Sequence, residues 1–173
     1  MKSKFFYALT LIGASVLGYT ATYFFLDQKI QNKPGESLFG PVNIYPEFED
    51  MTDATLVAQA KKLYKQKKYE RAFRMYETAF RKSQSGSKPR KWAAHRLGYM
   101  YFKGKGVEKN LVRAKNYLTQ PELAKSGGAN FDLGMLYAIK EFELHDLDKA
   151  RFYLTKAESI GVKAATNALA KLK

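Results

Sequence analysis

The chain has 173 residues and carries 30 Lys and Arg against 16 Asp and Glu, a formal net charge of +14. An apolar fraction of 46% is typical of a folded domain and excludes a disordered chain. Because the chain has no cysteine and two histidines, disulfides, thiol nucleophiles and cysteine-based zinc sites are excluded, and metal or proton-relay chemistry is disfavoured.

The first predicted element is a membrane-spanning helix at residues 5–26, preceded by a short tail at residues 1–4. The segment contains no charged residue. As a helix it reaches ~33 Å, which is enough to cross a hydrocarbon core of ~30 Å. A cleavable signal peptide is the alternative, but its apolar core has only ~7–15 residues. Because the apolar run continues to Leu26, we expect an uncleaved signal-anchor.

Charges beside this segment favour a cytoplasmic N-terminus and an exported domain. Lys2 and Lys4 precede the span, and positive charge stays preferentially on the cytoplasmic side. Lys29 and Lys33 on the far side weaken this preference. We expect a single-pass protein of the inner (cytoplasmic) membrane with its domain in the periplasm. The alternatives are secretion after signal cleavage and, in a eukaryote, the ER membrane.

Residues 27–52 are predicted to form a linker between the span and the domain. Pro34-Gly35, Gly40-Pro41 and Pro46 interrupt this segment, and no helical or strand period persists in it. Several of its side chains are rather apolar for a free linker. We expect some of these to lie against the first helices of the domain: Leu38, Phe39, Val42, Ile44, Tyr45 and Phe48.

The positive charge is concentrated in one stretch of the chain. Residues 61–115 contain 18 Lys and Arg against 3 Asp and Glu, whereas the segments before and after them are close to neutral. Such a patch attracts acidic protein surfaces, anionic lipids or nucleic acids. The alternative is a solvated face that keeps the protein soluble.

An internal repeat becomes visible when the chain is aligned with itself at an offset of 36 residues. Spacings of three and four within each half of the repeat predict helices, so the unit is a helix A, a turn and a helix B. We expect Gly98 and Gly134 to permit close contact between helices. The coinciding residues include Ala93, Ala129 and Ala165, then Leu97, Leu133 and Leu169, then Tyr101 and Tyr137, and Tyr117 and Tyr153.

Residues 97–118, LGYMYFKGKGVEKNLVRAKNYL, resemble the Sel1-like repeat, a relative of the tetratricopeptide repeats. The second copy replaces both turn glycines, by Lys140 and Phe142, so we expect a different turn there. Residues 63–80 resemble a plainer tetratricopeptide pair, and residues 83–90 are expected to form a loop. Residues 163–172 are expected to form a lone helix A that caps the stack.

The resemblance extends over residues 53–173 and implies an all-α fold. The implied architecture is a short right-handed α-α solenoid of about three helix pairs plus a C-terminal capping helix. The resemblance also implies a scaffold that binds partner proteins. Bacterial envelope proteins with such repeats include immunity proteins that neutralise effectors delivered between cells.

The sequence contains no catalytic constellation. His95 and His145 are far apart, and no metal-ligand pair, nucleophile motif or phosphate-binding loop accompanies them. We therefore expect no enzyme activity, no cofactor and no metal site.

Candidate binding residues lie on helix A of the first full repeat. The resemblance implies that helix A lines a concave surface, where aromatic anchors flanked by positive charge suit a peptide or protein. Lys62 aligns with Tyr99 one repeat earlier. The alternative is that the aromatic side chains pack against the adjacent repeat. The predicted partner-binding residues are Lys62, Trp92, His95, Arg96, Tyr99, Phe102 and Lys103.

Together these observations predict a membrane-anchored, periplasm-facing module for protein–protein interaction, with an immunity protein as its more specific form. The partner is expected to present an acidic surface. The alternative is a binder of anionic envelope polymer or lipid headgroups through the basic patch. Nucleic acid is disfavoured if the domain is exported, and the oligomeric state stays open.

Overall fold

The computed structural model describes residues 45–172, and this part of the chain is all-α, with no strand. The predicted span at residues 5–26 and most of the predicted linker lie outside the described residues and stay predictions. Within residues 45–172, no helix combines the length and the apolar character needed to cross a bilayer. The seven α-helices are α1 (Asp53–Lys65), α2 (Tyr69–Lys82), α3 (Lys88–Lys103), α4 (Leu111–Leu118), α5 (Gly127–Tyr137), α6 (Leu147–Ser159) and α7 (Lys163–Lys171).

The helices form three pairs and one single helix. Helices α1 and α2, α3 and α4, and α5 and α6 pack against each other, and α7 packs on α6 and α5. The A helices α1, α3, α5 and α7 also contact one another in sequence along one layer. The predicted all-α stack of three pairs with a lone last helix is therefore confirmed, and the handedness of the solenoid stays a prediction.

Side-chain caps explain where the helices begin. The side chains of Asn110 and Asp146 occupy equivalent places in successive repeats and accept from the backbone N–H three residues later, at 2.8 Å and 2.9 Å. Ser87 caps α3 in the same way, with Pro89 in the first turn. Helix α3 therefore starts at Lys88, and the loop predicted for residues 83–90 ends three residues earlier than expected.

Stacked tyrosines repeat at the centre of the two full pairs. The rings of Tyr101 and Tyr117 stack with centroids 5.7 Å apart, and those of Tyr137 and Tyr153 stack at the same distance. Each stack joins helix A to helix B of one pair, so the 36-residue period of the sequence is also a period of the packing.

The two A-to-B turns of the full repeats differ as expected. Gly104 and Gly106 in the first turn have φ of 64° and 70°, a region that glycine adopts without steric cost. Lys140 and Phe142 in the second turn are not among the residues with positive φ. Phe142 is buried instead, with its ring 6.2 Å from that of Tyr137. In the second turn, the contact of Phe142 with the core takes the place of the positive-φ glycines of the first turn.

The end of the predicted linker is packed on the domain. Phe48 lies in a short 3-10 helix (Pro46–Phe48) and is buried in the core. The Tyr45 hydroxyl donates to the Glu77 carboxylate at 3.1 Å, and the Lys82 ammonium donates to the Met51 carbonyl at 2.9 Å. Residues 45–52 therefore cover the first helix pair, as their apolar side chains led us to expect.

Candidate protein-binding face

Four side chains form one line along α3, which we call the α3 stripe: Trp92, Arg96, Tyr99 and Lys103. Spacings of four, three and four residues place them on one face of the helix. Trp92 is 44% exposed, Arg96 and Tyr99 are half-buried, and Lys103 is exposed. The stripe combines apolar rings with positive charge on the layer of A helices.

Helix α1 contributes to the stripe through residues that the sequence comparison missed. The Lys61 ammonium lies 3.6 Å from the centre of the Trp92 ring, a close cation–π contact. The Arg96 guanidinium carbon lies 5.6 Å from the centre of the Tyr64 ring. The predicted residue Lys62 is exposed beside Lys61 on α1, but it is Lys61 that contacts Trp92.

On the other side of the stripe, His95 contacts helix α5. His95 Nε2 and Asp132 Oδ2 are 3.1 Å apart, and both side chains are largely covered. Gly128 leaves room for the imidazole, since a Cβ at Gly128 would lie 2.6 Å from His95 Cε1. His95 is therefore used for packing between repeats, which was the alternative for the predicted aromatic residues.

Phe102 does not belong to the exposed face, contrary to the prediction. It is 5% exposed and lies in the hydrophobic core, and the Lys103 ammonium is 4.0 Å from its ring centre. Ten residues after Trp92, Phe102 lies about 80° around the helix from the stripe. This rotation turns its ring away from the exposed line and into the packed interior.

Charge and burial act together around Arg96. Burial raises the pKa of Tyr76 to about 12, and the Arg96 charge opposes that rise. Burial also raises the pKa of Tyr64, with Tyr99 and Tyr69 adding to the rise and Arg96 opposing it. The Tyr64 and Tyr76 hydroxyls are therefore protonated at neutral pH and can donate hydrogen bonds.

A second basic surface lies where the first two A-to-B turns meet. The Gly106 backbone sits so close to the start of α2 that a Cβ would lie 2.6 Å from the Glu70 nitrogen. The Lys105 ammonium lies 4.9 Å from the centre of the Tyr69 ring, beside a cleft of about 510 Å³. We call this surface the turn edge; its basic residues are Lys65, Lys67, Lys68, Arg71, Lys103, Lys105 and Lys109.

No group of three or more histidine, cysteine, aspartate or glutamate side chains within residues 45–172 is arranged to hold a metal ion. The arrangement instead offers aromatic surface, positive charge and hydrogen-bond donors, which are the elements of a binding face.

Comparison with known proteins identifies the repeats. Residues 93–120 and 128–161 each match the Sel1 repeat. These ranges contain α3 with α4 and α5 with α6, except for residues 88–92 of α3 and Gly127 of α5. No curated protein matches the chain. Sel1 repeats mediate protein–protein interaction. The chain therefore contains two Sel1 repeats, flanked by a further helix pair before them and a single helix after them.

Proposed function

We propose that the protein is a membrane-anchored module that binds a protein partner on the face carrying the α3 stripe. The observation that supports this most is the exposure of Trp92 on α3, directly before the first Sel1 match, with the Lys61 ammonium over its ring. Large aromatic side chains that stay partly exposed on the folded protein are the usual anchors of protein interfaces. A partner ring or aliphatic side chain can cover the remaining surface of Trp92.

Charge supports an acidic partner. The stripe and its neighbours on α1 present Lys61, Lys62, Arg96 and Lys103, and the one carboxylate that faces α3 from α5, Asp132, is paired with His95. A positive surface of this kind accelerates encounter with an acidic partner. Anchoring, export and neutralisation of an effector are the finer parts of the proposal, and the uncharged apolar segment at residues 5–26 supports the first two.

The binding face is tested by site-specific photocrosslinking in cells. A photoreactive amino acid replaces Tyr99 in one version of the full chain and Phe152 in another. Phe152 is 61% exposed on α6 and serves as the control surface. We expect a defined protein adduct from position 99 and none from position 152. Equal adducts from both positions, or none from either, would contradict the proposed face.

The purified adduct partner then allows kinetic tests. Tyr99→Ala should raise the dissociation rate about fivefold or more because it removes an anchor, a loss of ~1 kcal/mol or more. Lys62→Glu should slow association and reduce its salt dependence. Resistance of the full chain to carbonate extraction, together with an intact N-terminus, tests the anchor separately from the binding face.

The turn edge supports a second candidate function, the binding of anionic envelope polymer or lipid headgroups. Seven basic residues lie in two adjacent turns or in the helix ends beside them, with Glu70 and Glu108 as the acidic residues among them. Such binding weakens steeply with salt and shows little sequence or partner specificity. Vesicles with and without phosphatidylglycerol distinguish the candidates, because a preference of the full chain for anionic vesicles that Lys105→Gln reduces would favour the turn edge.

A further inference from the structure

Hydrogen-bond donors without acceptors gather beside the α3 stripe, between α1 and α3. The Arg96 guanidinium is half-buried against the Tyr64 ring, yet no carboxylate within residues 45–172 pairs with it. The hydroxyls of Tyr64 and Tyr99 donate to no other residue of this part of the chain. We call this group, together with the Tyr76 side chain beneath it, the Arg96 crevice.

The innermost member of the crevice is Tyr76. Tyr76 is completely buried, and its hydroxyl has no hydrogen-bond partner within the described residues. A buried hydroxyl without a partner costs stability, and the Arg96 charge is near enough to act on it. The donors of Arg96, Tyr64 and Tyr99 therefore reach the surface, where an incoming acceptor can meet them, whereas the Tyr76 hydroxyl is buried without one.

The neighbouring repeats explain why Arg96 has no acidic partner. The residue that aligns with Arg96 one repeat later is Asp132, but this carboxylate is already bound by His95. One repeat earlier the aligned residue is Gln59, which carries no charge. Of the three aligned residues, only Asp132 is acidic, and it pairs with His95 rather than with Arg96.

We propose that the Arg96 crevice receives a carboxylate side chain of the protein partner. A guanidinium presents a planar pair of N–H groups that match the two oxygens of a carboxylate, and phenol hydroxyls donate to the remaining lone pairs. Among the acceptors that a protein partner carries, the carboxylates of Asp and Glu match this geometry and charge. This inference rests on the proposed binding of a protein at the α3 stripe, and it specifies an Asp or Glu beside the residue that covers Trp92.

The single tryptophan of the chain reports on this site without any label. Trp92 is the only tryptophan in the sequence, and it lies one helical turn from Arg96 on the same face. The full chain in a zwitterionic detergent is titrated with acetyl-Leu-Glu-Leu-amide and with acetyl-Leu-Gln-Leu-amide, and Trp92 fluorescence is followed. The two peptides differ by one carboxylate. We expect the Glu peptide to bind at least about tenfold more tightly.

Three variants separate the crevice from general charge attraction. Arg96→Lys keeps the net charge but loses the planar fork, and it should reduce the preference for Glu to about threefold or less. Tyr99→Phe removes one hydroxyl and should weaken the Glu peptide several-fold while leaving the Gln peptide unchanged. Lys88→Gln removes an exposed charge about 12 Å along α3, and the preference should survive it.

The outcomes distinguish this inference from the proposed function. Equal affinity for both peptides would overturn the carboxylate subsite while leaving the α3 stripe as a binding face. A fall in preference as large in Lys88→Gln as in Arg96→Lys would also overturn it, because general electrostatics would then explain the result. If neither peptide changes Trp92 fluorescence at any concentration, the carboxylate subsite fails, and the photocrosslinking result at position 99 decides the proposed face separately.

Discussion

Replacement of Gly98 by alanine tests how tightly the two helices of a Sel1 pair are packed. An added Cβ at Gly98 would lie 2.6 Å from Leu118 Cγ, 2.8 Å from Leu118 Cδ2 and 3.2 Å from the Ala114 carbonyl oxygen. Gly134 has the same surroundings one repeat later, with Leu154 and Ala150 in the corresponding places. In both repeats the closest side chain is a leucine of helix B.

Two opposing effects set the magnitude. Alanine gains ~1 kcal/mol over glycine in a helix interior, whereas overpacking a core costs ~1–3 kcal/mol. Leu118 is buried to 1% exposure, and its Cγ is the branch point of the side chain, which rotation of the outer methyl groups does not move. The Ala114 carbonyl belongs to the backbone of α4. We therefore expect Gly98→Ala to lower the free energy of unfolding by ~1–2 kcal/mol, and Gly98→Leu by more.

A double-mutant cycle with Leu118→Ala isolates the contact. Leu118→Ala alone should cost ~2–5 kcal/mol because it leaves a cavity. The double variant should lose ~1–3 kcal/mol less than the sum of the single variants, since the new methyl occupies part of the cavity. Urea unfolding followed by circular dichroism measures all four proteins. Gly86→Ala is the control, because nothing lies within 4 Å of the added Cβ and its φ of 79° makes any cost a local backbone strain. It should show no coupling to Leu118→Ala; additivity at Gly98 would refute the packing argument.

Three further changes have defined outcomes. Lys67→Gly should raise the free energy of unfolding, measured by thermal melting, by ~1 kcal/mol because Lys67 holds a φ of 61°. Lys68→Gly, at a negative φ, is the control and should not raise it. Raising the pH from about 10 to 12 should lower stability by up to ~1.4 kcal/mol per pH unit, since unfolded Tyr76 ionises near 10 and folded Tyr76 near 12; Tyr76→Phe should flatten this slope in urea unfolding. Glu122→Ala should cost ~3 kcal/mol by calorimetry, since it leaves Arg90, 3.1 Å from the Glu122 carboxylate and 20% exposed, without its acid.

The repeat architecture could be predicted because the same residue types recur at a fixed spacing along the sequence. Alanine, glycine and leucine recur every 36 residues where helices approach closely, and the Tyr101 and Tyr117 stack recurs with them. The sequence predicts a loop through residue 90, but α3 begins at Lys88 because the Ser87 side chain caps the helix. Local capping chemistry decides that boundary, and the apolar period does not report on it.

The candidate face could be predicted only in part, because its membership depends on neighbouring helices. Trp92, Arg96 and Tyr99 follow from the period of α3 alone. The use of His95 follows from the position of α5, which no pattern within one helix specifies. Phe102 is buried because it lies about 80° around α3 from the stripe. Lys61 rather than Lys62 meets Trp92 because side-chain contact across two helices depends on their packing angle as well as on alignment.

Comparison of equivalent positions separates polar groups that are paired within the fold from those that are not. Arg96 and Asp132 occupy the same place in successive repeats, and both are largely withdrawn from water. Asp132 has its counterpart inside the fold, in His95, so its charge stabilises the contact between repeats. Arg96 has no counterpart, and Tyr76 beneath it has an unsatisfied hydroxyl. Because the Arg96 guanidinium reaches the surface without a carboxylate of the described residues beside it, the acceptor that we propose for the crevice comes from another molecule.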